Sequence, residues 1–137
     1  MDARPFTSTI ARLKTAGLRP TRQRIGLARL LFDHGDRHVT AELLHDEATK
    51  AGLRVSLATV YNTLNQFTGV GLLREVVVDT ARSYFDTNVS GHHHFFVEQD
   101  ATLHDIPSEA VAIERLPAPP AGLKVARVDV VVRLTKD

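Results

Sequence analysis

Cysteine is absent from this chain of 137 residues, which removes disulfides, thiolate zinc sites, cysteine nucleophiles and any haem site built on a Cys thiolate. Metal chemistry must therefore run on His, Asp and Glu. The chain also lacks an apolar run of roughly 18 residues and a basic-then-apolar leader, so no membrane partner and no secretory signal are expected, and the expected location is cytoplasmic. A glycine-rich phosphate loop, a nucleophile elbow and a Glu-bearing metalloprotease motif are missing too. Hydrolysis at a His-held zinc is the enzymatic alternative, and without a general base in such a motif no enzyme is expected.

What is present is enough apolar material, 43% of the residues, for one core or two small ones. The net charge of +1 conceals an asymmetry: residues 1–71 hold ten Lys/Arg against six Asp/Glu, and residues 72–137 hold seven against ten. A basic front half beside an acidic rear half suits a polyanion-binding module joined to a different one.

The periodicity divides at the same place. Phe6, Ile10 and Leu13 recur at helical spacing before Gly17. Thr21 is placed to cap a second helix with Ile25, Ala28, Leu31 and Phe32, ending near Gly35. Thr40 is placed to cap a third, with Glu42 in its first turn, Leu43, Leu44 and Ala48 inward, and closure at Gly52. Ser56 is placed to cap a fourth, running to about Thr68. From Leu72 two β-branched or aromatic strands are expected around the turn Asp79-Thr80-Ala81, and helices followed by a hairpin is the winged-helix order. Further on come a strand at His93–Val97, a turn at Glu98-Gln99-Asp100 and a second strand near Leu103–Ile106. A short helix is expected from Pro107-Ser108 to Leu116, and a last strand with Val128, Val130, Val132 and Leu134 on one face. The fold class is thus α+β, with modules at 1–80 and 92–137 and a hinge over 81–91.

On a helical wheel of the fourth helix, Leu57, Val60, Leu64 and Phe67 form one face, and Thr59, Asn62, Thr63 and Gln66 the other. The polar face carries short hydrogen-bonding groups and no acid, which suits a helix in the DNA major groove, where Asn and Gln pair with adenine edges. Tyr61 lies at the boundary, able to pack its ring and aim its hydroxyl outward. Gly17-Leu18-Arg19-Pro20-Thr21-Arg22-Gln23-Arg24 and Ser56-Leu57-Ala58-Thr59-Val60-Tyr61-Asn62-Thr63-Leu64 resemble the two N-terminal signatures of the ferric uptake regulator (Fur) superfamily. The resemblance implies an N-terminal winged-helix DNA-binding domain, a small α/β dimerisation domain, a homodimer and double-stranded operator DNA as partner. The expected DNA-contacting residues are Arg19, Ser56, Thr59, Tyr61, Asn62 and Gln66. Many relatives carry Arg in place of Asn62, so one phosphate contact is expected to be missing.

Seven histidines are present, three of them consecutive at 92–94. In an extended segment His92 and His94 project to one side, where both imidazoles reach one ion at about 2.0–2.1 Å, the zinc distance, while His93 points away. The superfamily resemblance implies a sensing site of His38, Asp86, His92, His94 and Asp105, a donor set that suits manganese, iron(II) or zinc. Most relatives also hold a structural zinc on Cys-x-x-Cys after the His-x-His pair. Val97 and Asp100 stand there, so no structural zinc held by four cysteines is expected, and the second module must hold by packing and by dimer burial of its last strand. The run Tyr84–Val97 with its unbroken triplet, and Ala126–Leu134, resemble the Irr branch, the haem-responsive iron regulators of alphaproteobacteria. That resemblance implies haem as signal, His92, His93 and His94 as its ligand region, Phe95 and Phe96 beside the macrocycle, and a repressor that holds DNA when haem is scarce. A manganese-, zinc-, iron- or peroxide-responsive repressor of the same superfamily is the alternative.

Overall fold

The structure, a computed structural model, describes residues 7–136; Phe6, expected to open the first helix, lies outside them. Two compact units are present, one ending at Val89 and the other beginning at Ser90.

The first unit contains four helices, α1 (Thr7–Thr15), α2 (Arg22–Phe32), α3 (Ala41–Lys50) and α4 (Leu57–Gly69), and three strands, β1 (His38–Val39), β2 (Arg74–Asp79) and β3 (Arg82–Asp86). Each expected cap forms. Thr21, Thr40 and Ser56 sit in extended backbone, and their side-chain oxygens accept from the amides of Arg24, Leu43 and Thr59, satisfying donors that the first helical turn leaves unpaired. The helix ends are as local. At Gly52 (φ 78°) the chain turns left-handed, so that the Leu53 amide returns to the Ala48 carbonyl at 2.9 Å and the Gly52 amide to Thr49 at 3.1 Å. These are the two bonds of a Schellman motif, and the positive φ explains glycine there.

The helices enclose Leu13, Leu27, Leu31, Leu44, Val60, Leu64 and Phe67 together with Val39, Leu73 and Phe85 from the strands. The three strands pair antiparallel in the order β1-β3-β2, and β2 alternates in burial as a half-buried strand should. Since β3 is the central strand, residues 82–86 of the expected hinge are sheet. Three side chains depart from their expected faces. Leu43 is 43% exposed and Leu57 37% exposed: Leu43 sits about 100° around the helix from Leu44, and Leu57 occupies the first turn, whose Cβ points beyond the core. Thr63, expected on the polar face, is buried because it lies only about 40° from Phe67 on the wheel.

The second unit is a three-stranded sheet in the order β5-β4-β6, built from β4 (His93–Val97), β5 (Thr102–Ile106) and β6 (Val131–Leu134). Strand β5 is antiparallel to β4, and β6 is parallel to it. Two expectations fail here. In place of a helix to Leu116 there is one 3₁₀ turn, Ser108–Ala110; Ile113 and Leu116 are exposed, and a helix this short needs a packed face to persist. The last strand begins at Val131, not Val128, because the Val130 amide is diverted to the ring of His93 at 3.1 Å. Val132 and Leu134, expected on the face covered by dimer burial, are each 37% exposed in the single chain.

Candidate functional site

Helix α4 presents Tyr61, Asn62 and Gln66 to solvent, and neighbouring elements engage two of them. The Tyr61 hydroxyl donates to Glu42 Oε1 at 2.5 Å. That bond, then partial burial and the carboxylate's charge, raises the phenol above its ordinary range. Gln66 Oε1 accepts from Arg24 Nε at 3.3 Å and Nη2 at 3.0 Å, while Arg24 Nη1 donates to the Arg19 carbonyl at 2.9 Å. Ser56 and Thr59 are joined in the cap: the Ser56 hydroxyl accepts from the Thr59 amide and donates to Thr59 Oγ1 at 2.9 Å. The side chains of Arg19 and Asn62 are exposed. Sequence reasoning missed Arg24 and Glu42 as partners of this face, since Gln66 lies 42 residues from Arg24 and Tyr61 19 from Glu42.

The expected metal ligands fall into one group in each unit. In the first, β1 and β3 place His38 directly opposite Asp86, and His38 Nε2 lies 3.1 Å from Asp86 Oδ2. Asp86 is 1% exposed and its other oxygen accepts from the Asn88 amide at 2.9 Å. The register holding His38 there is secured by a mutual bond between Arg37 and Thr87: the Arg37 amide donates to Thr87 Oγ1 at 2.8 Å and the Thr87 amide to the Arg37 carbonyl at 3.1 Å. The Arg37 guanidinium in turn grips both Glu47 oxygens, at 2.9 and 2.6 Å.

In the second unit, the β4–β5 register sets His94 opposite Asp105, and the pleat returns His92 to the same face. Their rings lie 4.6 Å apart, and their Nε2 atoms stand 3.3 and 3.5 Å from the same Asp105 oxygen. Both histidines are buried. His92 Nδ1 lies 2.6 Å from the Ser90 carbonyl, which only accepts, so Nδ1 carries a proton and in the neutral ring the Nε2 lone pair faces Asp105. Two buried imidazoles and a carboxylate whose donor atoms converge in this way form a set that can hold a metal ion. A carbonyl behind a ligating imidazole is also what orients such a ligand.

His93 is arranged the opposite way. Its Nδ1 accepts from the Val130 amide, which places the proton of the neutral ring on Nε2 and leaves no lone pair there for a ligand. The triplet is thus split by strand alternation, with His92 and His94 on one face and His93 on the other beside half-buried Phe95. Val97 ends β4 and Asp100 is exposed in the following turn. Among the described residues no helix is long and apolar enough to cross a membrane.

Known proteins share this architecture. The profile of the ferric uptake regulator family matches residues 15–132. The peroxide-responsive repressor PerR of Staphylococcus aureus is 33% identical over 109 residues, spanning 79% of this chain and 73% of that protein. The ferric uptake regulator of Pseudomonas aeruginosa, solved with manganese, superposes with a TM-score of 0.69 at 26% identity over 92% of this chain and 96% of that one. The Vibrio cholerae ferric uptake regulator superposes with a TM-score of 0.72 at 19% identity, over 93% and 99%.

Proposed function

The chain belongs to the ferric uptake regulator family of transcription regulators, and on that premise we propose that it is a homodimeric, metal-gated repressor whose α4 enters the major groove of operator DNA. The observation that carries this reading is the convergence of His92 and His94 on Asp105, with the His92 tautomer set by the Ser90 carbonyl. The donor set fits manganese, iron(II) or zinc, nitrogen and carboxylate oxygen without thiolate. We assign the ligands as His92, His94 and Asp105 of the second unit with His38 and Asp86 of the first. One ion shared by both groups would make the relative orientation of the units depend on occupancy, and thereby couple the signal to DNA affinity. The likeness to a peroxide-responsive repressor and to a manganese-bound relative supports this form of control. Binding to DNA rests on Arg19, Ser56, Thr59, Tyr61, Asn62 and Gln66, and twofold operators suit a dimer.

Haem is the second reading, as in the Irr branch. The face of β4 carrying His93 and Phe95 supports it, an imidazole beside an apolar ring, which is the chemistry a haem ligand region needs. Ligation by His93 Nε2 would require the Val130 amide to release Nδ1.

Operator binding by the full chain, measured on duplexes recovered from a random-sequence pool under each condition, separates the two. In the metal reading, stripped protein binds weakly, manganese or zinc restores binding, and Asp105→Asn or His92→Ala removes the metal dependence. If stripped protein binds fully and haem alone releases it, with a Soret band lost in His93→Ala, the metal reading is wrong and the haem reading holds.

A further inference from the structure

Arg24 stands on α2, not on the helix proposed to read bases, yet all three of its guanidinium nitrogens are engaged, two of them on that helix. Two bond to one atom, Gln66 Oε1, and the third to the Arg19 carbonyl. A guanidinium only donates, so the amide orientation of Gln66 follows from chemistry: its oxygen faces Arg24 and its NH₂ faces away. Nε and Nη2 converge on that oxygen from one side and hold it turned toward Arg24. Gln66 therefore turns its donors outward, and its exposed NH₂ makes no bond to another described residue.

We propose that Arg24 is a specificity-determining positioning residue, which fixes Gln66 as a pure hydrogen-bond donor toward the base edges of the major groove. The proposal rests on the reading of α4 as the recognition helix. An unconstrained glutamine pairs with adenine through both of its amide atoms, accepting from N6 and donating to N7. The Arg24 fork disfavours that pairing, because it holds the oxygen turned toward the guanidinium. What remains matches acceptors: guanine offers two, thymine and adenine one each, and cytosine none, only its N4 donor. At the position facing Gln66, the contacted strand should prefer guanine and reject cytosine. The adjacent positive charge polarises the amide and strengthens its N–H donors. The bond from Nη1 to the Arg19 carbonyl ties the fork to the turn ahead of α2, so it is set before DNA arrives.

The competing role for Arg24 is an ordinary phosphate contact, and the two differ in what a mutation does. The test uses the full chain, manganese-loaded, with duplexes recovered from a random-core pool. Gln66→Ala identifies the base pair by erasing discrimination there. Each of the four pairs is then placed at that position and titrated by fluorescence anisotropy at several salt concentrations. Wild type should bind the cytosine duplex roughly tenfold more weakly than the guanine duplex. In Arg24→Met, which keeps the aliphatic stem, that ratio should fall to about threefold or less, adenine should become the favoured base, and the salt slope should stay unchanged. In Gln66→Glu, Arg24 holds one carboxylate oxygen and the other can only accept, so the order should invert in favour of cytosine. A uniform loss across all four duplexes in Arg24→Met, with the salt slope reduced by about one charge, makes Arg24 a phosphate contact and overturns the proposal. If circular dichroism shows Arg24→Met unfolded, Gln66→Glu decides: inversion upholds the proposal and an unchanged order overturns it. A consensus recovered by wild type and left intact by Gln66→Ala overturns the proposal while α4 remains a DNA reader; no consensus at all overturns the DNA-binding reading itself, and the proposal with it.

Discussion

The unit ending at Val89 closes over Leu13, Leu27, Leu31, Leu44, Leu64, Phe67 and Phe85. By contrast, the unit beginning at Ser90 buries Phe96, Leu103 and Ile106 while Ile113, Leu116, Leu123, Val125, Val132 and Leu134 stay exposed. The first has the means of a free-standing fold: capped helices, Schellman ends and a core contributed by every helix. The second is a small sheet with too little interior for its apolar content, and a Cys-bound zinc cannot compensate in a chain without cysteine. A second copy of the chain supplying the missing cover fits the dimer proposed above.

The strongest way to break this contrast is to remove one aromatic from each unit. Phe67→Ala should cost about 3–5 kcal/mol and lower the melting temperature equally at all protein concentrations. Phe96→Ala should instead lower a transition that shifts with concentration, because a unit held by association is stabilised by mass action. Calorimetry over a wide concentration range checks both, and a second-unit transition independent of concentration would mean that the sheet stands alone.

A smaller effect is expected at Arg37, whose grip on Glu47 is three-quarters buried. Arg37→Met leaves Glu47 without its partner and should cost about 1–3 kcal/mol in urea unfolding, with a loosened β1 edge. An unchanged midpoint would show that the Arg37–Thr87 backbone pairing suffices.

The turns of the two units offer a paired test. Gly52→Ala places a Cβ in left-handed backbone and should cost about 1 kcal/mol. In the β4–β5 turn, Ala101 already has φ 53°, so Ala101→Gly should gain up to about 1 kcal/mol. Equal and opposite midpoint shifts would show that the first unit is relaxed where the second carries strain; no gain at Ala101 would remove that difference.

The smallest signal is spectroscopic. Both tyrosines titrate above the ordinary phenol range, Tyr61 chiefly through its bond to Glu42 and Tyr84 chiefly through burial. A raised phenol stabilises the fold below its unfolded value, and that contribution disappears as pH rises through the folded value. Glu42→Gln should bring one ultraviolet phenolate transition down and leave the other in place. If both move, the two phenols share an environment and the assignment to Glu42 fails.

Features that are decided within a few residues were legible in the order of the amino acids. Thr21, Thr40 and Ser56 as caps, Gly17 and Gly52 as stops and the hairpin around Thr80 depend on bonds that close over three to five positions, and the alternation of the His triplet follows from the two-residue period of a strand. Amphipathic period was as legible where a stripe was wide, and failed at its margins, at Leu43, Leu57 and Thr63, where a rotation of tens of degrees separates core from solvent. Which side-chain atoms a distant partner engages was settled in the folded chain alone. Val130 occupies Nδ1 of His93 from 37 residues away, and Arg24 turns the oxygen of Gln66 from 42 residues away. A hydrogen bond is directional over about 3 Å, so its partner is fixed by the path of the folded chain, to which spacing along the sequence gives no access.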